Sequence, residues 1–133
     1  MSLKDKQSDL DQCCGTEGYT RWGMFRNIVV TDGALFVAKN GGTNGAFWLF
    51  DAIASYQHKL LKTQGLREFQ LWTLKVTGEG SNRSAVLTCQ ADSDKKPVVT
   101  QKIEYTDFDL DEIKFYVEPL DEKTWVILLT SEH

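Results

Sequence analysis

The sequence predicts an α+β domain, an antiparallel sheet of about six to eight strands with one main helix packed on one face. Three observations carry this reading. Runs of strand formers recur with turn residues at intervals of roughly eight to twelve positions, the spacing of antiparallel pairing. One segment, about 46–62, has helical rather than alternating periodicity. The chain has 133 residues, 41% apolar and 11% aromatic, which is enough for the core of a single domain over 1–133.

Residues 3–14 are polar and break at Gly15; Leu3, Leu10 and Cys14 would give a short amphipathic N-terminal helix its inner face. From Gly18 the composition changes to strand formers, with a short run at Tyr19, Thr20 and Trp22. Ile28-Val29-Val30 and Ala34-Leu35-Phe36-Val37-Ala38 flank Thr31-Asp32-Gly33, and Asp-Gly tolerates the positive φ values of a tight turn, so a hairpin is expected here. A glycine loop, Asn40 to Gly45, leads into the main helix with Asn44 as its expected N-cap. At 100° per residue, Asn44, Asp51, Ser55, His58 and Lys62 form one narrow polar stripe, opposite Leu49, Ile53, Tyr56 and Leu60. Gly65 supplies a stop.

The second half reads as a meander: 69–77, a turn around Gly78-Glu79-Gly80, 84–90, a polar loop 92–97, 98–106, 113–117, a Pro119-Leu120-Asp121-Glu122 turn and 124–129. Phe108 and Leu110 alternate with carboxylates, the pattern of an edge strand with one solvated face.

Composition excludes several classes. No apolar run is long enough for a membrane helix, and the first residues contain no signal-peptide core. Cys13, Cys14 and Cys89 have neither redox nor zinc-knuckle spacing and suit a reducing cytoplasm. Charge is unevenly spread: residues 104–122 carry one basic and eight acidic side chains, net −7, while 1–103 are net +3. A segment of that sign repels phosphate, and no basic cluster elsewhere would neutralise a nucleic-acid backbone, so nucleic acid is not an expected partner. No metal and no cofactor are expected either.

Four constellations could still carry chemistry. Asp51, Ser55 and His58 share a helical stripe and have the residue types of a hydrolytic triad. Side chains on one helix project the same way and do not converge on a carbonyl beside an oxyanion hole, so no catalytic residue is assigned. With Trp48 they are instead ligand-binding candidates. Asp107, Asp109, Asp111 and Glu118 match the 1, 3, 5 and 12 ligand positions of a calcium loop, but Glu112 occupies the position that needs glycine. The better expectation is an acidic docking surface of Asp107, Asp109, Asp111 and Glu112 for a basic protein. Gly41, Gly42, Asn44 and Gly45, ahead of a helix, form a possible anion loop without the Lys-Ser/Thr of a P-loop.

Gly15-Thr16-Glu17-x-Tyr19, Thr31-Asp32-Gly33, Trp48-Leu49-Phe50-Asp51-Ala52-Ile53 and Tyr105-Thr106-Asp107-Phe108 together resemble a family of small bacterial and phage proteins catalogued as a domain of unknown function. The resemblance runs from about Gly15 to the end. This chain has Asp109-Leu110 where the family pattern has Pro-Leu. The resemblance implies phage or mobile-element origin and brings no activity. The expected function is therefore a cytoplasmic accessory protein that binds another macromolecule through its acidic surface. The alternatives are a small-ligand binder or enzyme with a cleft at Asp51, Ser55 and His58, and a homo-oligomer assembled through edge strands.

Overall fold

Alternation along the strand segments sorts one set of side chains inward and the other outward, and seven strands result among the described residues. The computed structural model of the chain describes residues 19–22, 27–42, 45–63, 65–79, 82–92, 94–108 and 110–132. Its elements are β1 (Tyr19–Arg21), β2 (Ile28–Thr31), α1 (Asp32–Asn40), α2 (Phe47–Leu60), β3 (Gln70–Thr77), β4 (Ser84–Gln90), β5 (Val99–Ile103), β6 (Glu112–Pro119) and β7 (Trp125–Leu129). A 3₁₀ turn, Thr130–Glu132, follows β7. The strands form one sheet in the order β1-β2-β7-β6-β3-β4-β5. Every pairing is antiparallel except β2 with β7, which run parallel in the register Ile28 with Trp125 and Val30 with Ile127.

The pairing register places Ile28, Val30, Ile127, Phe115, Val117, Trp72, Leu74, Leu87 and Cys89 on one face, and all are fully buried in a single cluster with the helices. The Phe50 ring meets Phe115 edge-on at 5.1 Å and Tyr56 tilts over Trp72 at 5.8 Å, seating α2 on the middle of the sheet. One buried polar group interrupts this interface. Gln57 and Gln70 exchange amide hydrogen bonds at 2.9 and 2.8 Å, and Gln70 Oε1 also accepts the Trp72 indole N–H at 2.8 Å. Gln57 also donates to Ile53 O and Gln70 to Leu66 O, so both buried amides are well satisfied.

Several expectations are corrected. Thr31-Asp32-Gly33 is not a hairpin turn, and 34–38 is not a strand: the segment is α1, so the described residues hold two α-helices. The Thr31 hydroxyl caps α1 by accepting from the Ala34 N–H at 3.1 Å, and Asp32 lies in the first turn, where the helix dipole favours an acid. The decisive partner is remote. Glu132, only 7% exposed, accepts from the Thr31 hydroxyl at 2.6 Å, the Gly33 N–H at 3.2 Å and the Leu129 N–H at 2.9 Å. A Cβ on Gly33 would lie 2.6 Å from the Glu132 carboxyl carbon, so glycine is what lets the carboxylate reach the helix end.

The acidic stretch is not an edge strand. The described residues from Glu104 to Asp111 form a loop, Phe108 is 1% exposed, and β6, which begins at Glu112, lies inside the sheet; the edges of the described sheet are β1 and β5. β5 is also shorter than the expected 98–106 run. The N-cap of α2 is Ala46, which makes no side-chain cap bond; Asn44 and the expected N-terminal helix lie outside the described residues.

Candidate functional site

Helical periodicity puts the ligand-binding candidates on the outer stripe of α2, but each has its own local geometry. Asp51 is exposed, and its Oδ1 accepts the Trp22 indole N–H at 2.9 Å. That indole stacks on Phe47 at 5.7 Å and tilts over Phe50 at 5.4 Å, so the carboxylate anchors an aromatic cluster. Ser55 donates to the Ala52 carbonyl of its own helix at 2.8 Å. His58 is exposed on the last turn of α2. Trp48 lines a groove that it shares with β5.

The described partner-binding candidates, Asp107, Asp111 and Glu112, sit on or beside a loop that Arg83 organises. The Arg83 guanidinium donates to the carbonyls of Phe108 at 3.2 Å and Leu110 at 3.1 Å and to Asp111 Oδ1 at 3.3 Å. Thr106 ties the loop from inside: its N–H donates to Arg83 O at 3.0 Å, and its hydroxyl accepts from the Phe108 N–H at 3.1 Å. Glu112 pairs with Lys114 at 3.9 Å on an exposed strand face, an arrangement worth little in stability. Asp109 lies outside the described residues.

The glycine loop and the acidic loop meet. A Cβ on Gly42 would lie 2.5 Å from Asp107 Oδ1, and one on Gly41 would lie 2.9 Å from the Phe108 ring. Glycine here admits the chain's own Asp107 and Phe108. Gly45 has φ +84°, and its N–H donates to Gly42 O at 3.1 Å, closing the described part of the loop on itself.

These contacts leave a groove of about 560 Å³ between α2 and β5. Trp48 and Ala52 form one wall, Gln101, Lys102 and Ile103 the other, and Tyr105, Thr106 and Asp107 close its end. Tyr105 is 64% exposed, the most exposed large hydrophobic residue described. The Tyr56 hydroxyl holds Gln101 from below at 2.9 Å. Trp48, Ala52 and Ile103 give the groove apolar surface, Lys102 sets a cation on one wall and Asp107 a carboxylate at the end, so the groove suits an apolar or aromatic group whose positive charge lies at the Asp107 end. Trp48 and Asp107, candidates for separate sites in the sequence, are brought together; Asp51, Ser55 and His58 do not line the groove. Sequence reasoning missed Ala52, Gln101, Lys102, Ile103, Tyr105 and Thr106 as lining residues. The Tyr105-Thr106-Asp107-Phe108 segment was the one available signal.

Among the described residues no group of three His, Cys, Asp or Glu is placed to hold a metal. Cys89 is fully buried, and desolvation pushes its thiol pKa up to about 12, so it stays protonated and unreactive in the fold. No described helix is long and apolar enough to cross a membrane.

Fold and site thus define an α+β protein whose described residues form a seven-stranded, mostly antiparallel sheet, two α-helices and a groove beside an edge strand. The chain belongs to the Family of unknown function (DUF6876), whose model matches residues 4–133. Neither the curated proteins nor the solved structures yield a match.

Proposed function

We propose that this protein is a macromolecule-binding module whose groove takes an apolar or aromatic side chain of a partner protein, with a basic residue beside it. The observation that carries the reading is the coincidence of Trp48, exposed Tyr105 and Asp107 around one groove of about 560 Å³. The surrounding charge supports it. Residues 104–122 are net −7, and an acidic field raises the association rate of a basic partner and makes it salt-dependent. A cytoplasmic accessory role, of the phage or mobile-element kind, fits a small binding module with no described nucleophile and base in the groove.

The test uses peptides displayed as a random library and selected on the purified protein. Selected peptides should share an aromatic or long apolar residue next to Lys or Arg. Their affinity should fall roughly tenfold or more with Trp48→Ala, as buried aromatic anchors do, and several-fold with Asp107→Asn, more at low salt than at high. Peptides that bind Trp48→Ala and the native protein equally would refute the groove as the site.

A second reading is favoured by the volume alone, which falls in the range of small-molecule sites. A metabolite that raises the melting midpoint of the native protein and not of Trp48→Ala would support it.

A further inference from the structure

β5 ends the described sheet. Its inner edge pairs with β4 from Ala85 with Ile103 to Cys89 with Val99, and no described strand pairs with its outer edge. Proteins normally blunt such an edge with bulges, prolines or several charges. Here the strand itself, Val-Thr-Gln-Lys-Ile, has no proline and one charge, while Lys96, Pro97 and Glu104 lie just outside it together with the exposed apolar side chains of Val98 at 53% and Tyr105 at 64%. At the other edge of the described sheet, β1 has three described residues.

Charge along the β5 edge is polarised. Exposed Lys95 and Lys96 lead into it, and exposed Glu104 and Asp107 lead out. Two copies set antiparallel bring the basic end of each beside the acidic end of the other. A parallel foreign strand gains no such match from this edge.

We infer that two copies of this chain pair through β5, joining their sheets into one. A two-fold axis normal to the sheet keeps the inner faces continuous only where inward residues oppose inward ones. Full overlap of the five residues then centres on Gln101 and sets Thr100 opposite Lys102 of the second copy and Val99 opposite Ile103. The register one step on would oppose Lys102 to itself, which like-charge repulsion disfavours. In the favoured register both α2 helices stand on one side of the joined sheet, and the two grooves flank the shared strands, each walled by its own Trp48. The inference does not depend on what the groove binds.

Sedimentation equilibrium of the full chain over a wide concentration range tests it, with Thr100→Lys as the perturbing variant. Thr100 is exposed and opposes Thr88 within the chain, so the variant should melt like the native protein. The native protein should reach twice the 15.1 kDa chain mass. Thr100→Lys opposes two lysine pairs across the axis, each raising the dissociation constant about threefold, roughly tenfold in all. Adding Lys102→Glu should restore native association. A mass of 15.1 kDa at every concentration would overturn the inference. So would a dimer indifferent to Thr100→Lys, or one not restored by the second substitution.

Discussion

Replacing Glu132 should loosen the start of α1, nearly a hundred residues away in the chain. Its carboxylate is 7% exposed and accepts three hydrogen bonds, from the Thr31 hydroxyl and from the N–H groups of Gly33 and Leu129. Glutamine can keep the two bonds to Oε1 but turns an amide N–H₂ toward the Gly33 N–H. One bond is lost and the charge no longer complements the helix dipole, which together amount to about 2–3 kcal/mol. Relief of carboxylate desolvation offsets part of this and leaves a net loss of about 1–2 kcal/mol. Alanine strands all three donors, and at about 1 kcal/mol or more for each the loss rises to about 3–4 kcal/mol. In a domain of this size each kcal/mol moves the melting midpoint by roughly 3–4 °C, so Glu132→Gln should melt about 5 °C lower and Glu132→Ala about 12 °C lower. Urea unfolding followed by tryptophan fluorescence gives the same quantities directly. A Glu132→Gln protein as stable as the native one would refute the claim that this carboxylate holds α1 in place.

Other outcomes follow from the same contacts. Gly33→Ala should destabilise the native protein by about 1–3 kcal/mol by displacing the carboxylate, yet be neutral or mildly stabilising in a Glu132→Ala background; additive effects in the double-mutant cycle would refute the steric coupling. Asp51→Asn keeps an acceptor for the Trp22 indole and should be nearly silent in thermal melts, whereas Asp51→Ala should cost about 1 kcal/mol. Gln70→Leu strands the Gln57 amide and the Trp72 indole N–H and should cost about 2–4 kcal/mol in urea unfolding, more than surface Gln90→Leu. Cys89 should resist thiol reagents in the native state of a Cys13→Ser/Cys14→Ser protein. Its folded pKa, near 12, lies above the ordinary value of 9.0 because burial favours the neutral thiol. The stability this gives is present in full below about pH 9 and declines as the pH rises toward 12, which unfolding curves at alkaline pH would show.

Local pattern made most of the sheet legible. Leu87 and Cys89 alternate with half-buried neighbours, and β4 runs from Ser84 to Gln90 as alternation alone indicates. The main helix was equally plain, since Leu49, Phe50, Ile53 and Leu60 recur at helical spacing; its ends moved inward to Phe47 and Leu60. Residues 32–40 were not legible, because Ala-Leu-Phe-Val-Ala is apolar at either period and Asp-Gly is as good a turn as Thr-Asp-Gly is a helix start. Glu132 decides between them, and no local window contains it. The parallel pairing of β2 with β7 is hidden for the same reason. Gln57 also looks like a surface residue until Gln70 arrives from the next strand. The groove lay furthest from reach: Trp48 and Asp107 each stood out, but only the sheet order brings β5 and its following loop beside α2.

The binding groove is tested most directly by two-dimensional amide and indole NMR of the protein with a selected aromatic-basic peptide added. Shifts should concentrate at the Trp48 indole, Ala52 and residues 101–107, with the amides around Gln57, Gln70 and Glu132 unmoved. Shifts clustered instead on Asp51, Ser55 and His58, with 101–107 silent, would contradict it.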